Sequence, residues 1–127
     1  RIKIWNAVPS IPIFIYSVCN KLKIEAVYQD VSTSSLYSSD KLKNHIKTLK
    51  DNGIDFYFAF GAADWYNSLD TVKAKVDIVK NYNNSVTDQF KAKGLIFDVE
   101  PHTLGGTESE VLSRVETWCD VAKKLYK

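Results

Sequence analysis

Asp98 and Glu100 stand one residue apart near the end of the run Gly94-Leu95-Ile96-Phe97-Asp98-Val99-Glu100-Pro101-His102, which is apolar until the first acid and stops at a proline. On a strand, side chains two apart point to the same side, so both carboxylates face one way while Phe97 and Val99 face the other. Two acids sharing a partly desolvated cavity divide into a proton donor and a charged partner, which is the arrangement that general acid catalysis uses. The plainer role for the same pair is to cap the next helix or to meet a lysine, since ion-pair networks also gather carboxylates.

Similar polarity recurs wherever an apolar run ends. Trp5 and Asn6 follow the first run, Gln29 and Asp30 close the second, Asp64, Trp65 and Tyr66 lie beyond the third, and His102 accompanies the two acids of the fourth. These residues are the candidate substrate contacts, with Glu100 and Asp98 as the candidate catalytic pair. Aromatic residues make up 13% of the chain, and Trp5, Tyr28, Tyr37, Trp65 and Tyr66 cluster near these ends, where flat rings could stack on sugars; Trp118 and most other aromatics are expected in the core. His102 is within reach of Glu100 as a partner or stands in water as a turn histidine. His45, beside an apolar helical stripe, reads as a solvent-edge or hydrogen-bonded core residue. No second His or Cys stands nearby to complete a ligand set, so neither a metal nor a cofactor is expected.

The elements that would carry these groups repeat four times as a short apolar strand followed by a helix with three- and four-residue apolar spacing. The strands are expected at residues 2–5, 25–31, 54–60 and 94–99. A first helix follows Pro9-Ser10; a second starts at Asp40, buries Leu42, Ile46 and Leu49, and stops at Asn52-Gly53. A third starts at Ser68 or Asp70 with Val72, Val76 and Val79 inward, and leaves through residues 81–85. Thr107-Glu108-Ser109-Glu110 has the form of a capping box and opens a fourth, expected to bury Val111, Val115, Trp118, Ala122 and Leu125.

Strands alternating with helices imply an α/β fold with a parallel sheet. No G-x-G-x-x-G follows the first strand, which turns the choice from an open dinucleotide-binding sheet to a barrel. A (β/α)8 barrel takes roughly 250 residues, and the chain has 127. The expectation is therefore a single parallel (βα)4 unit over residues 1–127, half of a TIM-type (β/α)8 barrel and a fragment of something longer, in keeping with an opening at Arg1 and no Met. Such a half leaves barrel edges open, so self-association is expected. Cys19 and Cys119, on helices separated by two others, are expected to be buried free thiols.

Seventeen basic residues are spread among 15 acidic ones for a net charge of +2, with no basic cluster that would suit nucleic acid. The longest strongly apolar stretch, residues 11–19, is interrupted by Pro12 and falls short of a membrane span, so no membrane partner is expected.

The run G-L-I-F-D-V-E-P-H resembles the fourth-strand motif of glycoside hydrolase barrels, the D-x-D-x-E of chitinase-like family 18 and the D-x-E of family 25 lysozymes. With Trp5-Asn6 and the N-Y-N-N run at residues 81–84, the whole chain also resembles a group of bacterial TIM-barrel proteins with a D-V-E-P signature. The resemblance implies Glu100 as general acid and Asp98 as the carboxylate that orients substrate and acid. Lys93 and Ile96 stand where the chitinase-like pattern has earlier aspartates, and Val99 where it has an aromatic, so only the D-x-E pair is carried over. A carbohydrate substrate or ligand is the expected partner, handled by a hydrolase or by a non-catalytic binding or surface protein on the same scaffold. Secretion or display at the cell surface would suit either.

Overall fold

The computed structural model of the chain describes residues 5–7, 23–31 and 40–125, the first three as backbone. Their elements run β1 (Trp5–Ala7), β2 (Ala26–Asp30), α1 (Asp40–Asp51), β3 (Asp55–Phe60), α2 (Leu69–Asn84), β4 (Gly94–Phe97) and α3 (Glu108–Leu125), with short 3-10 turns at Ala63–Asn67, Asp88–Phe90 and Pro101–Leu104. This is an α/β fold. The strands lie in the order β1-β2-β3-β4. β1 pairs parallel to β2 with Asn6 beside Gln29, and β2 pairs parallel to β3 with Tyr28 beside Tyr57. The expected first helix, residues 2–4 of the first strand, Tyr37 and Cys19 fall outside the described residues. The chain divides into two compact units, Arg1–Ala59 with Val79–Ile96, and Phe60–Ile78 with Phe97–Lys127.

In the first unit the period of two sorts the strands. Val27 and Gln29 of β2 and Phe56 and Phe58 of β3 are buried, and the phenylalanines meet edge to face with centroids 5.1 Å apart. Leu42, Ile46 and Leu49 of α1 are all at most 1% exposed, so each contributes roughly 1.5–3 kcal/mol by burial. The helix stops where expected: Gly53, at φ +73, donates its amide to the Lys50 carbonyl, and the Ile54 amide donates to that of Leu49. Those two bonds satisfy carbonyls that the helix end leaves free, in a turn that needs a left-handed residue. Ala26, Tyr28 and Ala59 form a separate buried cluster, with Tyr57 and Ile96 packed against it.

The N-Y-N-N run has a structural job in the same unit. Tyr82 packs on Phe58 and donates its hydroxyl to the Phe90 carbonyl at 2.8 Å, and burial pushes its pKa up to about 12. Asn83 accepts the Ala92 amide at 2.9 Å and donates to the Ala92 carbonyl at 3.1 Å. The Lys93 amide then donates to Phe56, which delivers the chain to β4 in register with β3.

In the second unit the Asp98 amide donates to the Phe60 carbonyl at 2.8 Å, so β3 and β4 end at the same edge. Phe97 lies against Phe60 and, edge to face, against Trp118 of α3. The capping box forms: Thr107 Oγ1 accepts the Glu110 amide at 3.2 Å, and Glu110 Oε1 accepts from the Thr107 hydroxyl at 3.0 Å. The expected inner face of α3 is corrected in part. Val121 is buried, Val111, Trp118, Ala122 and Leu125 are half-buried, and Val115 is exposed. Apolar residues cover a broad arc of this helix, and only the part over Phe97 and the two neighbouring turns is covered. Cys119 is a free thiol, as expected, but exposed rather than buried.

Candidate functional site

β4 ends at Phe97, two residues earlier than the sequence pattern suggests. At this edge Gly61 passes close to Asp98. A Cβ at this position would fall 2.0 Å from the Asp98 carbonyl oxygen, so only glycine lets the chain leaving β3 pass so close to the chain leaving β4. Beyond that crossing Glu100 turns to φ −115, ψ 72, and Pro101 opens the next turn with no amide to donate.

The alternation of side chains survives the end of the strand. Val99 is buried, whereas Asp98 and Glu100 on either side of it are exposed. The expectation that the two acids sit in a desolvated cavity is not met among the described residues, because both open to solvent. The Glu100 carbonyl accepts the Thr103 amide at 3.0 Å and the Thr103 hydroxyl at 2.7 Å, which tightens the turn. Glu100 Oε2 lies 3.6 Å from His102 Nε2, with both side chains about half exposed. A contact so exposed contributes little to stability, so its interest is chemical rather than structural.

The turn after the third strand joins this region. Ala63–Asn67 packs against Pro101–Leu104, and α3 packs against both. It brings Asp64, exposed, and Trp65 and Tyr66, half-buried, into the same unit as the D-x-E exit. Lys75 Nζ lies 5.4 Å from the Trp65 centroid and 5.7 Å from that of Phe60, so a cation already occupies the neighbourhood of the indole.

In the first unit, register sets Asn6 beside Gln29 and Ala7 beside Asp30 at the C-terminal ends of β1 and β2. Asp30 is exposed. The side chains of Trp5 and Asn6 fall outside the described residues.

Gln29 is placed otherwise than the sequence reading has it. It is fully buried, and its Oε1 accepts from His45 Nε2 at 2.5 Å, while its Nε2 has no hydrogen-bond partner among the described residues. The reason is the strand period, which sets Gln29 on the side of Val27, where α1 packs. His45 is 8% exposed, lies edge to face with Phe56, and is held by burial at a pKa of about 4. Because a carbonyl oxygen accepts, the imidazole carries its proton on Nε2. His45 is thus the buried, hydrogen-bonded histidine of the two alternatives.

One residue that sequence reasoning passed over also belongs here. Arg114 of α3 reaches the backbone of the turn carrying His102, and its only sequence signal is a position four residues after Glu110 of the capping box. Among the described residues no group of three or more His, Cys, Asp or Glu could hold a metal ion, and no helix is long and apolar enough to cross a membrane. Comparison of the chain with protein-family models, curated proteins and solved structures gave no match.

Proposed function

We propose that the chain presents a carbohydrate site at the C-terminal ends of its strands, on a (βα)4 half of a TIM-type barrel, with Glu100 as general acid and Asp98 as orienting carboxylate of a glycoside hydrolase-like centre. The observation that supports it is the exit of β4, where two exposed acids flank a buried valine and His102 stands 3.6 Å from Glu100. In glycoside cleavage one carboxylic acid protonates the leaving oxygen while a second carboxyl group activates water or attacks the sugar. Glu100 has the freedom and the aspect for the first role. The turn bearing Asp64, Trp65 and Tyr66 supplies acceptors for hydroxyl groups and rings for stacking.

A general acid works best when desolvation keeps it protonated near neutral pH. Glu100 is open to solvent, so turnover calls for a further wall over the acids, supplied by later strands of a complete barrel or by a second copy pairing at an open edge of the sheet. That exposure favours the second reading for the chain on its own: a non-catalytic carbohydrate-binding surface in which the acids only accept hydrogen bonds from sugar hydroxyls.

A reducing-end assay on a panel of soluble and polymeric glycans, run beside Glu100→Gln, separates the two. The hydrolase reading expects any turnover by the native chain to fall by about 10²–10⁴ in the variant, the span of general acid catalysis. Turnover that survives the substitution removes the catalytic role. Binding without turnover in either protein selects the second reading.

A further inference from the structure

Arg114 donates from one guanidinium nitrogen to the Gly105 carbonyl at 2.7 Å and from the other to the Pro101 carbonyl at 3.3 Å. The side chain is mostly covered, at 16% exposure, and Glu110 Oε2 lies 3.9 Å from it. A planar fork with fixed donors suits two acceptors at a set separation, which a flexible ammonium cannot match. Here the acceptors are the first residue of the Pro101–Leu104 turn and the residue just past its end. One side chain from α3 therefore grips both ends of the turn that bears His102 and follows Glu100.

The rest of this corner is built around the same grip. Gly106 has φ +102, and a Cβ on it would fall 2.9 Å from Glu110 Oε2 and 3.1 Å from Arg114. Glu110 is itself fixed by the Thr107 cap, so cap and clamp share one carboxylate. The Thr103 and Gly105 amides close the turn onto the carbonyls of Glu100 and His102.

We infer that Arg114 is a positioning residue: by holding the Pro101 and Gly105 carbonyls it sets the turn so that His102 stays against Glu100. Its value to function rests on the carbohydrate reading of that site. Without the clamp the turn keeps its own short bonds and its packing on Ala63–Asn67 and α3, but nothing ties its two ends together, and the two side chains separate.

Hydrogen exchange and proton–proton NMR contacts on the full chain test this with Arg114→Gln and Arg114→Lys. In Arg114→Gln the Thr103 and Gly105 amides should exchange at least about tenfold faster, as the loss of two charge-assisted bonds implies, and the contact between the His102 ring and the Glu100 methylenes should vanish. The Val72 and Val111 amides, which bond at the starts of α2 and α3, should exchange as in the native chain. Arg114→Lys should restore part of the protection, since an ammonium reaches one carbonyl at a time. Equal acceleration at Val111 and at the turn would reduce Arg114 to a general stabiliser, and an unchanged His102–Glu100 contact would overturn the inference. A tetrasaccharide of N-acetylglucosamine added to the same samples keeps the two readings apart. Loss of the turn geometry in the variant, with no binding even by the native chain, supports the clamp and counts against the carbohydrate reading.

Discussion

Gly61→Ala is expected to destabilise the chain by about 3 kcal/mol, at the upper end of what overpacking costs, and to move Asp98. The added methyl would stand 2.0 Å from the Asp98 carbonyl oxygen and 2.9 Å from its carbonyl carbon. Non-bonded heavy atoms rest at roughly 3.5–4.0 Å, so the overlap exceeds what thermal motion absorbs. Neither side can yield cheaply. The obstacle is backbone rather than the tip of a flexible side chain, the Asp98 amide is bonded to Phe60, and Val99 next in line is buried. Separation of the two chains would break that bond and lift Val99 from its packing, with the acids on either side of it. Urea unfolding reads the loss as a lower midpoint at unchanged slope, and amide shifts at residues 98–100 report the displacement. A native midpoint with native shifts would show that the strand exits do not approach as described.

Acid should destabilise the chain through His45, by about 3 kcal/mol between pH 6.5 and pH 4. The sign follows from which state takes the proton. In the folded chain burial lowers the His45 pKa from 6.5 to about 4, whereas the unfolded chain protonates at the ordinary value. Between those two pH values the unfolded state binds more protons, so stability falls as pH falls. Above pH 6.5 the imidazole is neutral in both states and the effect is absent. His45→Gln removes the titration and should flatten this part of the profile, whatever it does to stability at neutral pH. The check is a series of urea unfolding curves across this range for both proteins. Parallel profiles would mean that His45 protonates in the folded chain as readily as in water.

Where local chemistry decides, the fold is legible in the sequence. Leu42, Ile46 and Leu49 mark the inner face of α1, Asn52-Gly53 its left-handed stop, and Thr107 with Glu110 the start of α3, because each signal lies within a turn or two of the structure it specifies. The position of Gln29 was also within reach, since the period of two sets it with Val27. Its pairing with His45 was not, because a contact across 16 residues leaves no local trace.

The early end of β4 is hidden for the same reason. Residues 94–99 look like continuous strand, and neither its end at Phe97 nor the close pass of Gly61, 37 positions before Asp98, has a local signal. Arg114 escapes a motif search because its acceptors are backbone carbonyls, which any residue supplies. The exposure of Val115 shows the limit of periodicity: an apolar arc wider than the contact it serves does not say which part is covered.

Whether the strand exit bearing Asp98, Glu100 and His102 recognises carbohydrate is read from an amide-shift titration of the isotopically labelled chain with N-acetylglucosamine tetrasaccharide and a panel of other soluble glycans. Saturable shifts are expected at residues 98–102 and 64–66 with at least one glycan, and are lost in Asp98→Asn/Glu100→Gln. Shifts confined elsewhere, or none with any glycan in the panel, would contradict that recognition.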